Sequence, residues 1–550
     1  MGVISNSNGI ANTSVKRAPG TSKQHLSIVA HDSTGLGSLW TSQRRILLTF
    51  AASLMFLICY ILRPIPPPPQ AALAQPKNFH ILIPASKEDE NLCKVLLSAA
   101  ILGYPSPVLI NWNKTFDDPG LVEGGSHLAK ISGAHQYLSW LDESHNEDLV
   151  LVVDAYDIWM QLRPQTLLNR YFAINSRANS RIRTELGAAA DKHDIRQEIV
   201  FGCQKRCWPW TLNDPPCYAV PESTLPRDIY GPQTDTDVGN EQNPFIKNRQ
   251  RFLNSGVGIG TVRAMRKLFE QALAQAEEER NFGSDQYVLS HIFGDQELWR
   301  EIVRRDSLSV GQRLKSRWSG TASSERFPEA HINEVRMKAE SRYDKNFEFG
   351  IGVDYGSEIG LNTVFAEDDT AWFSFDKEDN FINAQLEHGI SPPNGHLSGI
   401  SADISETLPP FWTYSNERDL PRWRSWSNVS LLTDVWTGIT PAVIHHNAHR
   451  DGLKSRRRDW WPNMFFHEHA RTLLDAHIYA PVVPVASSGH ENHTTEYWPY
   501  ETWKGGSRNG ISELGTGEDD NWVRFENICR AHHEEIFRDG KGAWELPDNH

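Results

Sequence analysis

The sequence predicts an α/β fold: a mixed, mostly parallel sheet flanked by helices and preceded by one transmembrane helix. Three observations carry this. Short apolar runs alternate with stretches of helical periodicity from residue 78 onward. The run Leu149-Val-Leu-Val-Val153 is apolar throughout, as strands covered on both faces are. Upstream, residues 46–62 (ILLTFAASLMFLICYIL) form 17 residues without a charge, at the short end of the ~17–25 that cross a bilayer.

Residues 1–43 are rich in Ser, Asn, Gly and Thr and read as a disordered tail. Lys16, Arg17, Lys23, Arg44 and Arg45 precede the apolar run, while Arg63 alone follows it before Lys77. The positive-inside rule therefore places the tail in the cytoplasm and the bulk of the chain in a lumen. A cleaved signal peptide would lie at the extreme N-terminus, and this run begins some 45 residues in. A buried core helix is opposed by Pro64, Pro66, Pro67, Pro68 and Pro69 immediately after it. Residues 44–63 are thus expected to be a signal-anchor, and 64–77 a stiff Pro-rich stalk.

The luminal reading agrees with Asn113, Asn428 and Asn492, each of which opens a glycosylation tripeptide. Cys59 lies in the span. Cys203, Cys207 and Cys217 are close enough to staple a local loop in an oxidising lumen. A zinc site would want a second Cys or His pair at finger spacing, which the sequence lacks. Five luminal cysteines leave at least one thiol free or paired between chains. A net charge of −14 argues against a nucleic-acid partner, which needs concentrated Lys and Arg. Nineteen Trp lean toward a carbohydrate ligand, with core packing the competing use.

Beyond the stalk, Phe79-His-Ile-Leu-Ile-Pro84 predicts a strand, and 91–102 a helix with Leu92, Val95, Leu96 and Ala99 on one face. A second strand covers 107–111 and a second helix 126–141; the strongest strand lies within 148–154. Residues 198–202 continue the sheet. The stretch 213–250 is Pro-, Asp- and Asn-rich and reads as a long loop. Helices are expected over 261–280 and from Gln286, and a late strand over 441–445. Polar, charge-rich insertions are expected at 306–345 and 376–430. Residues 485–550 are Gly-, Asn- and His-rich and carry no assignable period.

The chemistry centres on Val153-Asp154-Ala-Tyr-Asp157. An apolar strand ending in two carboxylates presents them at its C-terminal edge, where open α/β sheets bind ligands. Such charges repel unless a cation lies between them, and a hard dication would also bridge two phosphates. A strand-ending Asx turn is the alternative. Phe252-Leu-Asn254-Ser255-Gly256-Val-Gly258-Ile-Gly260 places small residues and an amide just before a helix, allowing a polar ligand close to the backbone. Ser284 or Asp285 could cap the next helix, or Asp285 could meet an acceptor hydroxyl or a reacting carbon. Val443-Ile-His445-His446-Asn447 ends a strand in imidazoles, one of which could complete a metal's coordination.

Taken in order, Asp154-Ala-Tyr-Asp157, Cys207-Trp208-Pro209, Phe252-Leu-Asn-Ser-Gly256, Asp285-Gln286 and Val443-Ile-His445-His-Asn447 resemble the glycosyltransferase domain of procollagen lysyl hydroxylases and the related collagen galactosyl- and glucosyltransferases. The resemblance runs over about residues 79–474. It implies a GT-A fold across 78–484, a UDP-sugar donor, a manganese ion and a protein or glycan acceptor. It further implies Asp154, Asp157 and His445 as metal ligands. Pro84, Ala85, Lys130, Asp154, Trp208, Ser255 and Gly256 would line the donor site, and Asn254 and Asp285 would act beside the transferred sugar. The family's His-Gly-Asn-Gly becomes His445-His446-Asn447-Ala448, which leaves open which imidazole ligates. Its acidic run before Asp-Gln is reduced to Gly283-Ser284-Asp285. The span and stalk resemble those of Golgi residents, with the endoplasmic reticulum the second choice. A non-catalytic nucleotide-sugar or glycan binder and a metal-dependent hydrolase of phosphorylated sugars are the rival functions.

Overall fold

The computed structural model describes residues 72–73, 76–116, 118, 120–122, 125–280, 282–308, 327–390, 399–412, 419–450, 452–490, 493–500, 510–513 and 521–545. The expected tail, the apolar run 46–62, most of the stalk and Asn492 lie outside them. Among the described residues no helix is long and apolar enough to cross a membrane.

Residues 71–550 form one compact α/β unit around a large mixed sheet with helices on its faces. Eight strands position the site: β1 (Lys77–Pro84), β2 (Val108–Ile110), β3 (Leu149–Val153), β4 (Ile158–Met160), β5 (Ile199–Gln204), β6 (Phe252–Thr261), β7 (Gly360–Asn362) and β8 (Val443–His445). Their spatial order is β2-β1-β3-β6-β5-β7-β8-β4. β1 runs parallel to β2 and β3, and β7 parallel to β5 and β8. Between these parallel groups β6 runs antiparallel to both β3 and β5, which makes the sheet mixed at its centre.

β3 is buried at all five positions, as its unbroken apolar run predicts. Helix α1 (Glu90–Leu102) starts where the Asp89 carboxylate accepts the Asn91 backbone N–H at 2.8 Å, and stops at Gly103 with φ 79°. Both ends follow from residue chemistry: a carboxylate satisfies an orphan donor, and glycine enters the left-handed region freely. The other helices that matter here are α2 (Leu128–Trp140), α3 (Pro164–Leu186), α4 (Val262–Glu278) and α5 (Asp285–Ser307).

β6 departs from the sequence reading, which gives 252–260 as an open small-residue segment rather than a strand. It is a ten-residue central strand, buried along eight of its positions. Gly258 and Gly260 share one face, because successive side chains alternate, whereas the register with β5 shifts between Gly258 and Asn254 and takes Gly256 out of that alternation. Neighbours fill the space a Cβ would take: His445 beside Gly256, Phe201 beside Gly258, Ile199 and Met265 beside Gly260.

The segments expected as insertions carry structure of their own. The first holds a helix over Glu329–Ser341. The second departs from and returns to a two-stranded antiparallel sheet, Thr370–Phe373 with Leu431–Asp434, and packs a small cluster of Phe373, Phe381, Ala384 and Val435. The residues without assignable period also join the main sheet: His493–Pro499 pairs parallel to β1, and Gly510–Glu513 parallel to β2. Two disulfides close, Cys93–Cys529 and Cys207–Cys217. Among the described residues Cys203 is the free, buried thiol.

Candidate metal centre

β3 ends at Val153, and the chain turns through Asp154-Ala-Tyr-Asp157 into β4. Backbone bonds pin both ends of this turn: Asp154 N–H donates to the Gly256 carbonyl at 2.9 Å, and His446 N–H to the Asp157 carbonyl at 2.7 Å. β4 lies antiparallel on β8, with Ile158 opposite His445. That register brings the imidazole against the carboxylate beside Ile158. His445 Nε2 lies 3.4 Å from Asp157 Oδ2 and 3.6 Å from Asp154 Oδ2.

Ligands ~2.1 Å from one ion lie roughly 3.0–3.5 Å from each other, so these three atoms converge about as a divalent cation requires. The second nitrogen of the ring is tied down. His445 Nδ1 lies 2.7 Å from Asn362 Oδ1, and the Asn362 amide donates to the Cys203 carbonyl at 2.9 Å. Because the amide nitrogen is spent on a carbonyl, its oxygen must accept from Nδ1–H, which leaves Nε2 as the free lone pair.

Charge points the same way. Lys130 is buried, and its ammonium lies 2.6 Å from Asp154 Oδ1, 2.6 Å from Asp285 Oδ2 and 2.9 Å from the Ser255 carbonyl. Asp154 and Asp285 thus share one ammonium, and Asp157 brings a third carboxylate to the cluster, a concentration of negative charge that a dication would offset. Burial pushes Lys130 down, but Asp154 and Asp285 outweigh it and hold its pKa above the usual lysine range. Burial also raises Asp157; the His445 charge and hydrogen bond, helped by Arg457 and Lys130, leave it below the ordinary carboxylate value. His445 itself is lowered by burial and raised more strongly by Asp157 and Asp154, ending above 6.5 in the metal-free protein.

A pH dependence follows with a definite sign. A raised imidazole pKa stabilises the metal-free fold fully below about 6.5, and this contribution is lost as pH rises through the folded-state value. A cation needs the neutral ring, so its binding releases that proton. Mn2+ affinity, measured by calorimetry from pH 6 upward, is expected to strengthen by about tenfold per unit until His445 has deprotonated. A flat profile would remove His445 from the ligand set.

His445, and not His446, faces the carboxylates. His446 is 1 % exposed, with its ring 3.9 Å from that of Trp159 and neither ring nitrogen hydrogen-bonded. Burial, then Arg456, push its pKa well below the ordinary imidazole value.

The remaining expected residues divide. Pro84 and Ala85 close β1 at the same strand edge, where the Tyr156 hydroxyl accepts the Ser86 and Lys87 N–H groups. Ser255 contributes its carbonyl to Lys130. Gly256 makes room for His445: a Cβ there would lie 2.1 Å from His445 Cε1. Gly256→Ala is therefore expected to displace the imidazole, weaken Mn2+ binding by ~10–100-fold and cost ~1–3 kcal/mol of stability. Titration and thermal melts of the variant check this; wild-type Mn2+ affinity would refute the packing argument.

Asn254 is 3 % exposed, and its amide is already committed. Its Nδ2 donates to Gln204 and Gln286, and its Oδ1 accepts Gly256 N–H. Its geometry is that of a positioning residue rather than of a group facing a sugar. Trp208 is half-buried, edge-on to Phe282, and its carbonyl accepts from Gln286 Nε2. The Ser284 side chain does not cap α5, and Asp285 turns to Lys130. The sequence reading missed Asn362 and Arg457, whose guanidinium donates to the Tyr156 carbonyl at 2.6 Å. Asn362 sits in a three-residue strand without a local motif, and Arg457 in a basic run that looks solvated.

No family model matches this chain, and no curated protein matches its sequence.

Proposed function

We propose that this chain is a manganese-dependent glycosyltransferase of the GT-A type, moving a hexose from a UDP-sugar to a protein or glycan acceptor. The observation that carries the reading is the convergence of Asp154, Asp157 and His445, with His445 Nε2 turned to both carboxylates, at the C-terminal edge of β3. The resemblance to the collagen glycosyltransferases and to the lysyl hydroxylase transferase domain adds to it. The apolar run 46–62 supports a single-pass type II protein of the Golgi membrane, its catalytic part in the lumen.

Asp154, Asp157 and His445 would hold the ion, two hard oxygens and one imidazole suiting Mn2+. When bound, that ion supplies Lewis-acid stabilisation of charge on a leaving diphosphate. Lys130 adds a buried positive charge beside the same place, aimed by Asp154, Asp285 and the Ser255 carbonyl. Asn254 and Gln286 hold β6 to the start of α5 and so keep Asp285 next to Lys130.

The test is UDP release by the purified protein with a panel of UDP-sugars, with Mn2+ or with chelator. Metal-dependent release from one donor is the expected result. One feature favours a second reading, a non-catalytic nucleotide-sugar binder: Lys130 neutralises Asp285, the residue placed beside the transferred sugar. Nucleotide binding without release from any donor would select that reading.

A further inference from the structure

A second cluster of donor atoms lies at the opposite end of β3. His80 stands on β1, Asp148 immediately precedes β3, and His145 ends a short 3-10 turn, Glu143–His145. His80 Nε2 is 3.3 Å from Asp148 Oδ2, and His145 Nδ1 is 2.7 Å from the same oxygen. His80 is 0 % and Asp148 4 % exposed.

Two details separate this from an ordinary buried carboxylate. Asp148 Oδ2 is over-subscribed: besides both imidazoles it takes the Asn78 side-chain amide at 2.9 Å, three donors on one oxygen that offers about two lone pairs. The outer atoms are also fixed so that the inner ones point inward. The Asn78 backbone N–H holds Asp148 Oδ1 at 2.8 Å, and the Tyr137 hydroxyl lies 2.8 Å from His80 Nδ1. Fixing the far nitrogen and the far oxygen is how proteins orient ligands around an ion. Two imidazoles and one carboxylate, their donor atoms within 4.8 Å of one another, form a three-ligand set of the kind zinc accepts. His145, 23 % exposed in its side chain, opens the approach.

We propose that His80 Nε2, His145 Nδ1 and Asp148 Oδ2 form a zinc site, independent of the centre at Asp154. The ion would replace the two imidazole N–H contacts on Asp148 Oδ2 and leave the Asn78 contacts in place. Two nitrogens and one oxygen favour Zn2+ over Mg2+ or Ca2+, which prefer oxygen alone. Its place at the N-terminal end of β3, far along the strand from the transferase edge, gives it a structural role in tying β1 to the 143–148 turn.

The experiment uses the full chain carrying Asp157→Ala and His445→Ala, so that the first centre no longer binds. Zn2+ alone is titrated by calorimetry, and Co2+ is followed by its visible tetrahedral bands. One equivalent should bind, raise the melting temperature, and be lost by at least ~100-fold in affinity when His145→Gln is added. Glutamine can still donate to Asp148, so the fold is expected to survive the loss of the ligand nitrogen. Absence of binding in the double variant, or equal binding with and without His145→Gln in a folded protein, would overturn the proposal.

Discussion

Asp157→Asn is expected to lower metal-dependent donor turnover by ~10²–10³-fold while leaving the protein folded, a loss of the size seen when one preorganised electrostatic partner is removed. The asparagine keeps the shape of the side chain, and the backbone carbonyl that receives His446 N–H is untouched. What disappears is the charge. His445 then faces Asp154 alone, at 3.6 Å, and Asp154 is already shared with Lys130. UDP release and a thermal melt, run on the same preparation, separate the outcomes. Undiminished turnover would sink the metal-centre assignment, and a collapsed melt would show that Asp157 is structural.

The second large effect concerns the covalent closure of the unit. Cys93 on α1 is bonded to Cys529 across 436 residues of sequence. A cross-link over so long a loop restrains the unfolded chain strongly, and removing such a bond typically costs ~2–5 kcal/mol. Cys93→Ser with Cys529→Ser should lower stability by about that amount, read as the midpoint of urea unfolding. The bond also borders the candidate centre. Lys94, next to Cys93, donates to the Arg457 carbonyl at 2.9 Å, and Arg538 donates to the Arg458 carbonyl at 2.9 Å. Reduction should therefore loosen the segment that carries Arg457. Unchanged urea midpoints would show that Trp461 Nε1–H on the Ile536 carbonyl and the Arg471–Asp539 pair hold the C-terminal segment unaided.

How much of this was legible from the residues depended on whether the signal was local. β3 announced itself because a strand covered on both faces needs apolar side chains throughout, and the carboxylates after it followed from its direction. The alternation of strands and helices over 78–141 was read to within a few residues for the same reason. β6 was not, because Gly, Ser and Asn depress every strand signal and the demand for glycine comes from neighbours distant in sequence. Phe201 and His445 make Gly258 and Gly256 intelligible only once β5, β6 and β8 lie side by side. Asn362 was invisible likewise: its function is to aim an imidazole 83 residues away. The pair His445-His446 left two possibilities open in one dimension, and strand alternation divides them in three, sending one ring to the carboxylates and the other against Trp159. The C-terminal strands stayed hidden because they are short and carry Thr, Ser and His where a period would need apolar side chains.

Cys203 gives the protein a clock of its own. Its thiol is buried on β5, burial drives its pKa far above the ordinary thiol value, and its carbonyl holds the amide that orients His445. A thiolate forms there only when the strands part, so an alkylating reagent reads the frequency of that opening rather than intrinsic reactivity. Labelling of the Cys203 peptide, followed by mass over time, thus times the breathing of the sheet directly behind the ligand cluster. Any bound ion or nucleotide that steadies the closed sheet should slow the clock in proportion to its occupancy, without a chromophore or an introduced probe.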